Sequence, residues 1–81
     1  METINYTPRG VCSKKMEIDV EDGVIQAVRV MGGCSGNLQG IASLLKGMSV
    51  EDAISRMEGI RCGMKPTSCP DQLAQALRSA Q

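Results

Sequence analysis

The chain has 81 residues, enough for one domain spanning residues 1–81 and close to the size at which a hydrophobic core only just offsets chain entropy. Lysine plus arginine equals aspartate plus glutamate at nine each, and Tyr6 is the only aromatic residue, which argues against nucleic-acid binding through either charge or base stacking. The sequence has no secretory h-region near Met1 and no apolar run long enough to cross a membrane, which predicts a cytoplasmic protein without membrane association.

The first half of the chain carries the alternating pattern of antiparallel strands. Residues 16–20 alternate apolar and charged side chains with a period of two, as in a strand with one buried face. Asp22 and Gly23 tolerate the positive φ angles of a type I′ turn, and residues 24–31 return as a second strand rich in β-branched residues. Residues 4–7 add an edge strand that ends at the following proline, which cannot donate a ladder hydrogen bond.

The second half carries the period of three amphipathic helices. The first ends near Gly47, and the second runs from a capping box at Ser49 to Gly59. The third has Pro70 in its first position and Cys69 as its N-cap. The apolar positions at helical spacing are Leu38, Ile41, Leu44, Leu45, Ala53, Ile54, Met57, Leu73, Ala76 and Leu77. The predicted fold class is α+β, with a small antiparallel β-hairpin or three-stranded sheet followed by three helices on one face.

Four cysteines fall at the ends of these predicted elements, where ligands usually sit. They are Cys12, Cys34, Cys62 and Cys69. In a reducing compartment they indicate metal ligation or redox chemistry more than disulfides. Since the chain has no histidine, four thiolates match a tetrahedral zinc site, with an iron-sulfur cluster as the second candidate. The spacing differs from the paired C-x2-C knuckles of a zinc ribbon, so buried or reactive free thiols and disulfides stay open as alternatives.

The glycine-rich corner at residues 32–37 surrounds Cys34 where the first predicted helix begins. It looks like a phosphate-binding turn, but it lacks a Walker lysine and a complete G-x-G-x-x-G, which argues against nucleotide binding. Cys34 and Cys69 each precede a helix, whose positive dipole end favours the thiolate form that metals bind. We therefore expect backbone N–H groups of this corner to donate to a metal-bound sulfur.

Three segments of the chain closely resemble the stand-alone TSCPD-domain family. They are residues 10–13, residues 32–41 and residues 62–72, the last of which contains the name-giving string Thr67-Ser68-Cys69-Pro70-Asp71. Related domains occur at the C-terminal end of certain ribonucleoside-diphosphate reductases, especially the adenosylcobalamin-dependent class, so the resemblance implies an association with deoxynucleotide and DNA synthesis. The large barrel that carries radical chemistry in a reductase would not fit in 81 residues, so the implied role is that of an associated domain.

A more distant resemblance is to the IscU/NifU iron-sulfur scaffold family. Its sequences have the same order of features along the chain: a cysteine, a hairpin, a Gly-Cys corner, a helix and a third cysteine at the start of a late helix. Cys12, Cys34 and Cys69 match the three cluster ligands of that family in order. The scaffold's aspartate two residues after its first cysteine is Lys14 here, and Cys62 is an additional thiol. An added thiolate and a missing carboxylate favour a closed, stable site over one that transfers clusters.

The leading hypothesis is a non-catalytic metal-binding module with zinc or, second, an iron-sulfur cluster. Two alternatives are an iron-sulfur scaffold or carrier and a thiol-redox partner of a ribonucleoside-diphosphate reductase that uses Cys62 and Cys69. The expected partner is a protein, either ribonucleotide reductase or a cluster-assembly protein, and a homo-oligomer is compatible with the sequence. The sequence shows no general base or nucleophile-base pair. Asp71 is expected to cap the third helix, with the positioning of an amide and service to a metal as the alternatives.

Overall fold

A computed structural model describes residues 1–11, 13–32, 35–61 and 63–80 of the chain. Three of the four predicted ligands, Cys12, Cys34 and Cys62, lie outside the described residues, whereas Cys69 lies within them. The described residues form a three-stranded antiparallel sheet followed by three helices, which confirms the predicted α+β class. In this described part of the chain, no helix has the length and apolar character needed to span a membrane.

The sheet is an antiparallel meander in the order β1-β2-β3. β1 is Glu2–Tyr6, β2 is Ser13–Glu21 and β3 is Val24–Gly32, so the predicted strands are confirmed. β2 begins at Ser13, before the alternating pattern that starts at residue 16. Asp22 and Gly23 have φ angles of 52° and 75°, the two positive values that the predicted type I′ hairpin turn requires.

Three helices follow the sheet along the chain. α1 is Ser35–Leu45, α2 is Val50–Met57 and α3 is Cys69–Ser79. The side-chain oxygen of Ser49 accepts a hydrogen bond from the Asp52 backbone N–H at 3.1 Å, so Ser49 is the N-cap of α2 as the sequence predicts. All three predicted helices are therefore confirmed.

The link between α1 and α2 is hydrogen-bonded to the start of β3. Gly47 has a φ of 87°, as expected for a residue that ends a helix, and its N–H donates to the carbonyl of Ile25 at 2.8 Å. The Ile25 N–H donates in turn to the carbonyl of Met48 at 2.9 Å. The Val50 N–H donates to the carbonyl of Gly23, also at 2.9 Å, so the hairpin turn and the start of α2 are held together.

One face of the sheet packs against the helices and forms the core. Met16 lies opposite Tyr6 and Val30 across the sheet, and both Met16 and Ile18 of β2 are fully buried. The core residues are Met16, Ile18, Ile25, Leu45, Val50, Ala53, Ile54, Met57, Leu73, Ala74, Ala76 and Leu77. Because each large side chain in such a set contributes about 1.5–3 kcal/mol on burial, this aliphatic core is the main source of stability within the described residues.

The opposite face of the sheet is solvated and carries a charge network. Arg29 donates to Glu17 at 3.1 Å and to both carboxylate oxygens of Asp19 at 3.0 and 3.1 Å, and the Thr3 hydroxyl donates to Asp19 at 2.8 Å. The hydrogen bond from Arg29, followed by that from Thr3, holds the pKa of the Asp19 carboxyl below its ordinary value. Exposed pairs of this kind contribute little to stability, so the network serves mainly to keep this face polar.

Leu44 departs from the predicted helical face. It is 75% exposed, whereas Leu38 and Leu45 of the same helix are buried. Leu45 follows Leu38 by seven residues and falls almost directly above it, while Leu44 is turned away from Leu45 by about 100°. The helical spacing predicted the helix, but Leu44 does not belong to its buried face.

Candidate functional site

The site is built around the N-terminus of α3, where residues 67–71 read Thr-Ser-Cys-Pro-Asp. Ser68 is the N-cap: its hydroxyl oxygen accepts from the Asp71 N–H at 3.2 Å and its hydroxyl donates to the carbonyl of Ile60 at 2.7 Å. The prediction that Cys69 is the N-cap is therefore wrong, because a serine oxygen accepts the cap hydrogen bond more readily than sulfur does. Cys69 is instead the first helical residue, and Pro70 follows it in the first turn.

Cys69 presents its sulfur beside the beginning of β2. The side chain is half-buried, and Sγ lies 3.3 Å from Oγ of Ser13, which is 56 residues away in the chain. Pro70 costs nothing here, since the first-turn N–H groups of a helix have no partner within the helix. The Cys69 sulfur therefore lies at the N-terminus of α3 within hydrogen-bond distance of a neighbouring hydroxyl.

Asp71 is a buried carboxylate that joins the loop after α2 to α3. It is 6% exposed, and it accepts hydrogen bonds from the Gly59 N–H at 2.8 Å, from the Gln75 side-chain amide at 2.9 Å and from the Thr67 hydroxyl. The pKa of the Asp71 carboxyl lies below its ordinary value. The main cause is the hydrogen bond from the Thr67 hydroxyl, followed by that from the Gly59 N–H, and burial acts in the opposite direction. The prediction that Asp71 caps α3 is wrong, because Ser68 performs that role and frees the carboxylate to bind the neighbouring loop.

Gln72 performs the equivalent role toward the segment that precedes β2. Its side-chain oxygen accepts from the Arg9 N–H at 3.0 Å, and its side-chain nitrogen donates to the Thr67 hydroxyl oxygen at 3.0 Å. Gly10 follows with a φ of 73°, and a Cβ added there would lie 3.2 Å from the Thr67 methyl group. A glycine is thus required at this position both by the backbone conformation and by the close approach to Thr67.

A β-bulge at Lys14 determines which side chain of β2 faces α3. Ser13 lies opposite Gly32 and Lys15 lies opposite Met31, so Lys14 is an extra residue in the strand. In a regular strand Lys14 would share the buried face of Met16. The bulge instead turns Ser13 inward, where it is 4% exposed, and leaves Lys14 in solvent.

Of the four predicted ligands, the structure describes Cys69, and metal ligation by Cys12, Cys34, Cys62 and Cys69 stays a prediction. Among the described ranges 1–11, 13–32, 35–61 and 63–80, no three aspartate, glutamate or cysteine side chains are close enough together to hold a metal ion. The described residues alone thus offer no alternative set of three such donors.

Four polar residues of the site were not predicted from the sequence: Ser13, Thr67, Gln72 and Gln75. Thr67 and Gln75 have a recognisable local signal, because each lies four residues from Asp71 along the chain, whereas Gln72 bonds to the Thr67 hydroxyl five residues before it. Ser13 has no such signal, since its contact with Cys69 spans 56 residues and depends on the bulge.

The fold and the site define a small α+β domain whose helix N-terminus carries a cysteine and gathers two preceding loops around it. The model of one family, the TSCPD domain, matches residues 1–81, and the chain belongs to that family. None of the curated proteins compared with the chain matches it. None of the solved structures matches it either.

Proposed function

We propose that this TSCPD domain is a non-catalytic metal-binding module in which Cys12, Cys34, Cys62 and Cys69 ligate a single zinc ion. The observation that carries the proposal is that Ser13 and Ile60, which lie within two residues of Cys12 and Cys62, are hydrogen-bonded to the N-terminus of α3, and that Gly32, two residues before Cys34, pairs with Ser13 in the sheet.

Ser13 links Cys69 to the neighbourhoods of two further cysteines. Ser13 directly follows Cys12 in the chain, and its Oγ lies 3.3 Å from the Cys69 sulfur. Ser13 also lies opposite Gly32 in the sheet, and Gly32 precedes Cys34 by two residues. Two residues of extended chain span at most about 7 Å, so these short separations along the chain support our proposal that Cys12 and Cys34 are ligands together with Cys69.

Ile60 links the remaining cysteine to the same helix end. Its carbonyl accepts from the Ser68 hydroxyl at 2.7 Å, and Cys62 follows Ile60 by two residues. The adjacent Gly59 is held by Asp71, so two successive residues of this loop are fixed to the first turn of α3. Because two residues of chain span at most about 7 Å, the fixed position of Ile60 supports our proposal that Cys62 is a further ligand.

The donor chemistry fits zinc. Four cysteines and no histidine match the all-cysteine tetrahedral site, and Cys69 lies half-buried at the N-terminus of α3. Lys14, at the position where the IscU/NifU scaffolds carry an aspartate, is exposed on the bulge and provides no labile carboxylate. When bound, the zinc would supply folding free energy on the order of 10 kcal/mol at neutral pH, a large amount for a core of this size.

The biological setting we propose is ribonucleotide reduction. The resemblance that supports it is to domains at the C-terminal end of ribonucleoside-diphosphate reductases, and in that setting the zinc would fix a surface for a protein partner. The reductase chemistry itself would belong to the partner. We expect the zinc-loaded domain, but not a zinc-free cysteine variant, to bind a purified ribonucleoside-diphosphate reductase in a titration.

The test is the content of zinc, iron and acid-labile sulfide per chain, measured on protein purified without oxygen and without a metal-affinity tag. We expect about one zinc and no sulfide, and loss of zinc in each of the variants C12S, C34S, C62S and C69S. Ser43→Ala, a change at an exposed position of α1, is the matched control and should retain zinc. Iron with matching sulfide would replace this proposal with cluster binding, and a folded metal-free protein would refute it in favour of thiol-redox chemistry.

A further inference from the structure

Ser13 is a buried hydroxyl that the four-cysteine site does not use as a ligand. It is 4% exposed, it begins β2, and its Oγ lies 3.3 Å from the Cys69 sulfur. A serine at the start of a strand ordinarily faces water, and here a bulge at Lys14 turns it toward α3. The bulge at Lys14 thus brings the Ser13 hydroxyl next to the Cys69 sulfur.

We infer that Ser13 is a positioning residue for the metal site, whose hydroxyl donates a hydrogen bond to the Cys69 thiolate and tunes its donation to the metal. The inference rests on the function proposed above. Either atom of the pair could donate if Cys69 were a thiol. A metal-bound thiolate has no proton, so in the loaded protein Ser13 must be the donor.

The geometry supports a specific interaction rather than incidental packing. The separation is within the range of a hydrogen bond to sulfur, and the Ser13 side chain has no other hydrogen-bond partner among the described residues. The backbone position of Ser13 is defined by its pairing with Gly32 in the sheet and by the bulge at the next residue. Such outer contacts orient ligands, and their removal commonly lowers metal affinity by about 10- to 100-fold.

The experiment compares wild type, Ser13→Ala and Ser13→Thr after loading with cobalt(II), which reports on its thiolate ligands through sulfur-to-metal charge-transfer bands. A hydrogen bond lowers the energy of the sulfur electrons, so its loss in Ser13→Ala should move these bands to longer wavelength. We also expect zinc affinity, measured by chelator competition, to fall by about 10-fold or more. Ser13→Thr retains the hydroxyl and should restore both values, and Ser43→Ala should change neither.

A purely structural role for Ser13 would lower the melting temperature of Ser13→Ala but leave its charge-transfer bands in place, and that result would overturn the inference. A wild-type protein that binds no cobalt or zinc would overturn the metal-site proposal itself, which separates the two failures. Should Ser13→Ala not fold, wild-type protein loaded with an NMR-active cadmium isotope provides the second test. A cadmium coupling to the Ser13 hydroxyl proton supports the hydrogen bond, and its absence contradicts it.

Discussion

Replacing Asp71 by asparagine tests the hydrogen-bond network that holds the site together. The carboxylate accepts from three donors, the Gly59 N–H, the Thr67 hydroxyl and the Gln75 amide. Asparagine offers one acceptor oxygen and one NH₂ group in place of two acceptor oxygens. The asparagine oxygen can keep the bond from the Gly59 N–H, and the Gln75 amide can flip so that its oxygen accepts from the new NH₂ group. The Thr67 hydroxyl, which is buried and already accepts from Gln72, loses the oxygen to which it donates and is left as an unsatisfied donor.

The expected loss of stability follows from that count. A buried donor without a partner costs about 1–3 kcal/mol, and the remaining bonds also weaken when the negative charge is removed, so we expect a total of about 2–4 kcal/mol. For a domain of this size, this corresponds to a decrease in Tm of roughly 10 to 25 °C. The measurement is urea unfolding at neutral pH of the protein as purified, with the change in free energy taken at unchanged m-value.

Glu58→Gln is the matched control for that experiment. Glu58 pairs with Arg78 at 2.8 Å, but its side chain is 48% exposed, and the same carboxylate-to-amide change should cost less than about 1 kcal/mol. If Asp71→Asn unfolded at the same urea concentration as Glu58→Gln, the account of Asp71 as the residue that fastens the loop after α2 would be refuted.

Two further substitutions, Gly10→Ala and Ser68→Ala, test the segments around the site, and each has a control elsewhere in the fold. Gly10→Ala should destabilise the fold by about 1–2 kcal/mol in thermal or urea unfolding, because it forces an alanine to positive φ close to Thr67. Its control is Gly40→Ala, which lies in open space within α1 and should stabilise the fold by up to about 1 kcal/mol. Ser68→Ala and Ser49→Ala should each cost about 1 kcal/mol through loss of an N-cap, but Ser68→Ala alone should accelerate zinc loss to a chelator. Equal zinc retention in the two serine variants would contradict the link between the cap and the site.

The sheet and the helices could be predicted from the sequence because their signals are local. Alternation in β2, the Asp22-Gly23 turn and the Ser49 cap each depend on residues within a few positions of one another. The exposure of Leu44 could not be read from helical spacing alone, since it depends on how α1 is turned against β3. Burial of a given helix position is a tertiary property, and spacing limits it only to a sector of the helix.

The sequence predicts a set of ligands, which stays a prediction, but it does not predict the contacts that the structure shows around Cys69. Count and compartment chemistry point to the four cysteines, and the TSCPD resemblance selects the same residues. The roles of Asp71 and Ser13 depend on partners 12 and 56 residues away and, for Ser13, on an extra residue in one strand. Only a folded chain reveals such contacts, because no spacing rule connects them.

X-ray absorption at the zinc edge of the purified protein tests the central claim most directly, because it counts the atoms bound to the metal. A site made of Cys12, Cys34, Cys62 and Cys69 predicts a first shell of four sulfur atoms at about 2.3 Å. A shell in which nitrogen or oxygen replaces any of the sulfur atoms would contradict ligation by all four cysteines.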